Sequence, residues 1–384
     1  MPDITPFTIA VPDAALADLR RRLAEARWPP ASPAAAWEDG TDAAFLAGLA
    51  ARWRDGYDWR AAEAQLNAVP GFMARLPGGT VHFQHAKGRG PRPFPLILTH
   101  GWPGSFVEAQ RILPLLTDPG AHDADPEDAF DLVVPSLPGY GFSPAPAAPG
   151  CGPAAIAGLW HALMGALGYT RYGAQGGDWG ASVSTWLARL HPGAVAGLHL
   201  NFIPGSFMPP PDAAPPTPQE QAFLARRDTW AGHEGAYEHI QATRPQTLAY
   251  ALGDSPLGLA AWIAEKFRAW TDTAPGGPPL GAVPPDTLLT NISIYWFTGS
   301  IGSSMRLYRE AAARPLHFAP GERVAPPLGV AVFPAELPMP PRSWVERVFD
   351  VARWSEMPRG GHFAALEAPE ALAEEIRAFF RPLR

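Results

Sequence analysis

Tyr172-Gly173-Ala174-Gln175-Gly176-Gly177-Asp178-Trp179-Gly180-Ala181 decides how the rest of the chain is read. A short strand pattern (residues 172–175) runs into glycines around one aspartate, and helix formers resume at 181. Glycine on both sides of a central polar residue marks a strand–turn–helix too tight for a Cβ at its flanks. Solid apolar runs lie on either side, at 94–98, 130–134 and 195–202. Short unbroken runs of this kind suit strands buried on both faces of a parallel sheet. Helical stretches at 108–116, 154–167 and 181–190 alternate with them, which predicts a doubly wound α/β sheet.

In α/β-hydrolases this turn presents the nucleophile, which is Ser in esterases. Here the position is held by Asp178, so a serine esterase is excluded. A carboxylate is already ionised at neutral pH and needs no base to activate it. It attacks an sp³ carbon that carries a leaving group and becomes an alkyl ester of the enzyme.

The same fold predicts where its partners lie. Thr99-His100-Gly101-Trp102-Pro103-Gly104-Ser105 follows the run at 94–98, in the place of the loop that lends a backbone N–H to an oxyanion. The expected donors are the N–H groups of Trp102 and Trp179, with His100 a structural, hydrogen-bonded histidine. The chain order nucleophile, acid, histidine puts the base late. Of 11 histidines, His362 alone follows a Gly360-Gly361 turn just before the C-terminal helix. Glu336, after the strand pattern ending at Phe333-Pro334, is the expected acid; Asp350 and Glu346 are its rivals, placed on a helix and its end.

Elsewhere, 13–26 carries apolar Leu16, Leu19 and Leu23 at helical spacing, with Asp13 expected as its N-cap and Pro29-Pro30 as its stop. A second helix is expected at 42–53, so a helical segment precedes any sheet. Strands begin near Gly71 and turn at Pro77-Gly78-Gly79. Alternation lapses over 204–320, read as an inserted helical cap, and resumes at 328–333 and 351–354. The expected units are 1–90 (wrapping segment), 91–203 (core), 204–320 (cap) and 321–384 (core).

With 384 residues and a net charge of −7, neither nucleic acid nor an anionic membrane suits as the main partner. The lone Cys151 excludes an internal disulfide and fits a reducing cytoplasm. No basic, apolar leader opens the chain. The 47 prolines are scattered, without a PxxP array, and read as the codon usage of a GC-rich bacterial genome.

Together these residues resemble the microsomal-type epoxide hydrolases, which include the juvenile hormone enzymes and bacterial relatives. The resemblance runs from Pro6 onward through His100 to Ser105, Gly176 to Ala181, Tyr237 to Thr243, Asp254-Ser255-Pro256 and Glu265-Lys266-Phe267. It continues through Asn291, Tyr295-Trp296, Ser303 to Tyr308, Phe333 to Glu336 and Gly360 to Glu367. It implies that Asp178 is the nucleophile, His362 the base, Glu336 its partner, and Tyr237 and Tyr308 the cap acids. Membrane-bound relatives carry an anchor helix before the wrapping segment, whereas this chain begins with that segment. The expected partners are an apolar or aryl epoxide and water, with no cofactor, metal or nucleic acid and a homodimer left open. Both detoxification and secondary metabolism fit such a reaction. A haloalkane dehalogenase with the same nucleophile, for which Trp179 would be a halide donor, and a dead binding protein are the alternatives.

Overall fold

The computed structural model describes residues 3–204 and 214–384; the opening of the expected cap, 205–213, lies outside them. Among the described residues the strands are β1 (Asp3–Phe7), β2 (Gly71–Leu76), β3 (Gly79–Ala86), β4 (Phe94–Thr99), β5 (Phe130–Pro135), β6 (Tyr172–Gly176), β7 (Val195–Leu200), β8 (Val324–Val332) and β9 (Phe349–Glu356). They form one sheet in the order β1-β2-β3-β5-β4-β6-β7-β8-β9. The members from β5 to β9 run parallel, and β1 to β3 add antiparallel strands at one edge. In β4 and β5, Leu96, Ile97, Leu132 and Val133 are fully buried because helices cover both faces. Each contributes roughly 1.5–3 kcal/mol by leaving water.

The order places the site. From β4 the chain steps to β5 on one side and then to β6 on the other. The loops leaving β4 and β6 therefore diverge at a switch point, where an open α/β sheet leaves a crevice at its carboxyl ends. The loop of Gly101 and Trp102 follows β4, and Asp178 follows β6.

The N-terminal segment departs from expectation at several points. A strand, β1, precedes its helices and pairs with β2 from Asp3↔Arg75 to Phe7↔Gly71. Its sequence, Asp-Ile-Thr-Pro-Phe, lacks alternation because an edge strand carrying Pro buries little. The first helix, Asp13–Ala24, has Pro12 at its cap, leaving Asp13 inside the first turn, and it ends before the proline pair. Asp42 does cap the second, Ala43–Ala51, by accepting from the Phe45 N–H. A third, Trp59–Asn67, went unforeseen. The stretch expected as a helix at 108–116 is a 3₁₀ turn, Phe106–Gln110, and a short helix, Leu113–Thr117.

Side chains tie this segment to the cap. Trp53 Nε1 donates to Ser293 Oγ at 2.9 Å, Tyr57 bonds Thr290, and Arg22 pairs with Asp254. The cap helices are Pro218–Glu234, Ala236–Thr243, Pro245–Asp254, Pro256–Trp270, Pro285–Thr298 and Ile301–Ala313. Several open on proline, as do the core helices Pro153–Ala166 and Pro369–Phe380. At that position the missing N–H costs nothing and φ is already set, so part of the proline excess is helix initiation rather than codon usage. Glu220, fully buried, accepts from Arg347 at 2.6 Å and from the Thr217 N–H, fastening the cap to the core. Loss of either partner would strand a buried charge. Among the described residues no helix is long and apolar enough to cross a membrane.

Candidate active site

At the end of β6 the backbone turns sharply enough that Asp178 adopts φ 48°, the left-handed region L-residues avoid. The crowding around it explains the glycines. A Cβ on Gly180 would meet the Thr99 carbonyl oxygen at 2.0 Å, and one on Gly101 would meet the Asp178 Cβ at 2.3 Å. The loop after β4 therefore lies directly against the Asp178 turn. Its Trp102 N–H donates to Asp178 Oδ1 at 2.8 Å. Trp179, the next residue, sits in the first turn of the helix Asp178–Leu190, where backbone N–H groups have no intrahelical acceptor.

The Trp102 loop is held from the cap. Asn291 accepts from Ser105 Oγ and donates to the Pro103 carbonyl, both at 2.7 Å, and the Tyr295 hydroxyl donates to the Gly104 carbonyl. Both residues lie in the helix Pro285–Thr298, so two of the family-matched positions secure this loop. His100 is buried, with its nitrogens against the Gly101 carbonyl and the Leu137 N–H, and burial pushes its pKa down to about 4. It is a neutral structural histidine.

His362 and Glu336 come together by a separate route. An isolated parallel bridge, Ala335↔Gly361, joins the loop after β8 to the loop after β9. His362 Nδ1 lies 2.6 Å from Glu336 Oε1, and its Nε2 lies 3.4 Å from Asp178 Oδ2. The His362 N–H donates to the Trp270 carbonyl, and Asp272 accepts from the Gly360 N–H. Glu367 accepts from the Phe363 and Asp272 N–H groups. Burial alone would push the imidazole down; the carboxylates of Glu336 and Asp178 outweigh it and hold its pKa well above the ordinary value. Of the rival acids, Glu346 pairs with Arg342, and Asp350 sits exposed on β9 rather than on a helix.

Opposite Asp178 stand two phenols from different cap helices, Tyr237 of Ala236–Thr243 and Tyr308 of Ile301–Ala313. Their rings lie 5.9 Å apart at 82°. Trp102 stacks on Tyr237 at 5.4 Å, while Trp179 meets Tyr308 edge-on at 4.7 Å. With Asp178 they line a cavity of about 270 Å³ whose other walls include Phe202, Trp230 and Leu337. Burial, then neighbouring negative charge including Asp178, holds both phenols well above the usual phenol value. Both therefore keep their protons at neutral pH.

The matches of the chain to known proteins agree with this arrangement. Residues 4–109 match the family model described as epoxide hydrolase N terminus, and 95–263 the alpha/beta hydrolase fold. Epoxide hydrolase 1 of Oryctolagus cuniculus is 38% identical over 410 residues, covering 98% of this chain and 88% of that protein. The chain belongs to the epoxide hydrolase family. A protein of Stigmatella aurantiaca is 49% identical over 385 residues, covering 99% of this chain and 86% of its own. The solved Aspergillus niger epoxide hydrolase superposes with a TM-score of 0.85 at 33% identity, over 100% of this chain and 97% of that one. This chain is therefore a hydrolase of the α/β-hydrolase fold, and the binding-protein and dehalogenase alternatives lose their ground.

One group in this epoxide hydrolase site escaped the sequence reading. Glu108 lines a second, much smaller cavity of about 20 Å³ with Asp178, His362, Gln175 and Asn201. That is room for about one water. Burial pushes the Glu108 carboxyl up to about 7. A Cβ on Gly104 would collide with Glu108 Oε1, so the glycine of the Trp102 loop makes way for this carboxyl. The pairing of Gly104 with a carboxylate four residues on was the available signal.

Proposed function

We propose that this epoxide hydrolase opens an apolar or aryl epoxide to a vicinal diol through an ester on Asp178. What carries the reading is one carboxylate facing two protonated phenols, Tyr237 and Tyr308, across an apolar cavity. Asp178 attacks an epoxide carbon and the ring C–O bond breaks. The departing oxygen, too basic to leave bare, takes a proton from a phenol, leaving a hydroxyalkyl ester and a phenolate. A halide needs no such donor.

Ester formation then prepares the second step. It removes the Asp178 charge, one of the groups that keep His362 protonated, and so favours the neutral imidazole that can act as base. His362, oriented by Glu336, takes a proton from water, and the hydroxide adds to the Asp178 carbonyl carbon. The N–H groups of Trp102 and Trp179 hold the oxyanion. Collapse expels the diol oxygen, which takes the proton back from His362; the carboxylic acid left at Asp178 then gives up its proton as the phenolate regains one through solvent, which restores both groups.

In one turnover in oxygen-18 water, the label is expected in the Asp178 carboxylate, and the diol should carry unlabelled enzyme oxygen. Mass spectrometry of the peptide and diol reads this directly. Label appearing in the diol during that first turnover would refute the ester.

The small cavity beside Glu108 is the proposed seat of the water. Its carboxylate, a growing fraction as pH rises through about 7, would accept a hydrogen bond from one water O–H while His362 takes the proton of the other. Glu108→Gln is expected to slow ester hydrolysis about tenfold to a hundredfold, the scale of a mispositioned reactant, with alkylation little changed. Rapid-quench measurement of the two steps separates them, and an unaltered hydrolysis rate would remove Glu108 from the water site.

A further inference from the structure

The family-matched stretch Glu265-Lys266-Phe267 has no place in the steps above. It lies on the helix Pro256–Trp270, and Lys266 there is only 3% exposed. A buried ammonium costs several kcal/mol unless its charge is met. On one side Lys266 Nζ is 2.5 Å from Glu265 Oε1 and 3.7 Å from Glu234 Oε2, both reaching toward solvent. On the other it stands over the face of Tyr237, 4.7 Å from the ring centre, and 5.9 Å from Trp270. A Met would fill the same volume without the desolvation cost, so the charge itself calls for a use.

Resting on the assignment of Tyr237 as a proton donor, we propose that Lys266 is a positioning residue for epoxide opening: its ammonium stabilises the Tyr237 phenolate that forms as the proton is given up. The surroundings of Tyr237 otherwise oppose that charge. Burial disfavours it first, then the carboxylates of Asp178, Glu238 and Glu234, while a hydrogen bond with Tyr308 favours it. Toward a neutral phenol, Lys266 offers only attraction to the ring face. As the proton leaves, negative charge spreads over the ring and the contact becomes one between opposite charges. An interaction stronger in the transition state than in the ground state accelerates the step in which it strengthens. Asp178 is neutralised in the same step, so the carboxylate that most opposes the phenolate disappears as the phenolate appears.

The same helix also gives its Trp270 carbonyl to the His362 N–H. Its last turn thus touches the acid of the first step through Lys266 and the base of the second through Trp270. A structural role for the helix would disturb both steps, whereas the charge of Lys266 should be felt in the first alone.

The test uses the full chain with styrene oxide and follows alkylation and ester hydrolysis by rapid quench and intact mass. Lys266→Met and Lys266→Gln are expected to slow alkylation about thirtyfold, or about 2 kcal/mol at 1.36 kcal/mol per tenfold. Ester hydrolysis should stay within about twofold of the parent, since that step does not draw on Tyr237 acidity. Lys266→Arg should restore most of the alkylation rate. In a Tyr237→Phe background, Lys266→Met should add no further loss, whereas beside Tyr308→Phe its full effect should persist. Should the Met variant fail to fold, Lys266→Gln, which keeps an amide donor for Glu265, carries the comparison. Undiminished alkylation in Lys266→Gln, or a full additional loss in the Tyr237→Phe background, would overturn the assignment of Lys266. If Tyr237→Phe alone alkylates at the parent rate, the error lies instead in Tyr237 as donor, and the role of Lys266 falls with it.

Discussion

Asp178→Ala is expected to abolish diol formation, a loss of about five to six orders of magnitude, the scale on which a covalent nucleophile is missed. The remaining site still offers the Trp102 N–H and two phenols, but none of these can attack carbon. The substitution also keeps an L-residue at φ 48°, so it leaves the turn strained while removing the acceptor of the Trp102 N–H. Asp178→Gly should be equally inactive yet more stable than Asp178→Ala by about 1 kcal/mol, because glycine enters that region without a Cβ penalty. Diol assays with denaturant titrations of both variants check the pair. Activity above about a thousandth of the parent in either would mean that another group attacks the ring.

His362→Gln is expected to stop the reaction halfway. Alkylation does not draw on His362, so the enzyme should gain the mass of one epoxide and hold it. Ester hydrolysis should fall about a hundredfold to ten-thousandfold, the usual worth of a positioned general base. Gln occupies much of the imidazole volume but cannot take a proton from water, and it leaves Glu336, whose side chain is 1% exposed, without its cationic partner. Some loss of stability should accompany the block, since a buried carboxylate then lacks its counter-charge. Intact mass spectrometry after mixing with substrate reads the adduct. A variant that turns over slowly with no adduct at any time would mean that His362 serves the first step instead.

The strands at the core of the sheet were plain in the sequence because burial on both faces leaves unbroken apolar runs, as at Phe94–Thr99 and Phe130–Pro135. The edge strand Asp3–Phe7 was not, since it is held by backbone pairing to Gly71–Leu76 and buries little. The helix Trp59–Asn67 was missed although Asp58 caps it at the Ala61 N–H. Its two apolar anchors, Trp59 and Leu66, are too few to set a clear period. Composition also misled about proline, which here partly marks helix starts.

What the sequence alone determined was the tight turn at Asp178 and the late Glu336 and His362 that meet it. Steric demand is local: only glycine fits between Asp178 and the loop after β4, and the residues that show this are written in succession. Asp178, Glu336 and His362 were named from such short patterns, and the folded chain brings them within 3.4 Å of one another in sequence of contact. What only the tertiary structure decided is which groups share the space around that carboxylate. Glu108 reaches the small cavity, and Lys266 stands over Tyr237, because helices distant in the chain pack against one turn. Burial and charge at such places are sums over neighbours from many segments, and no single stretch of sequence contains them.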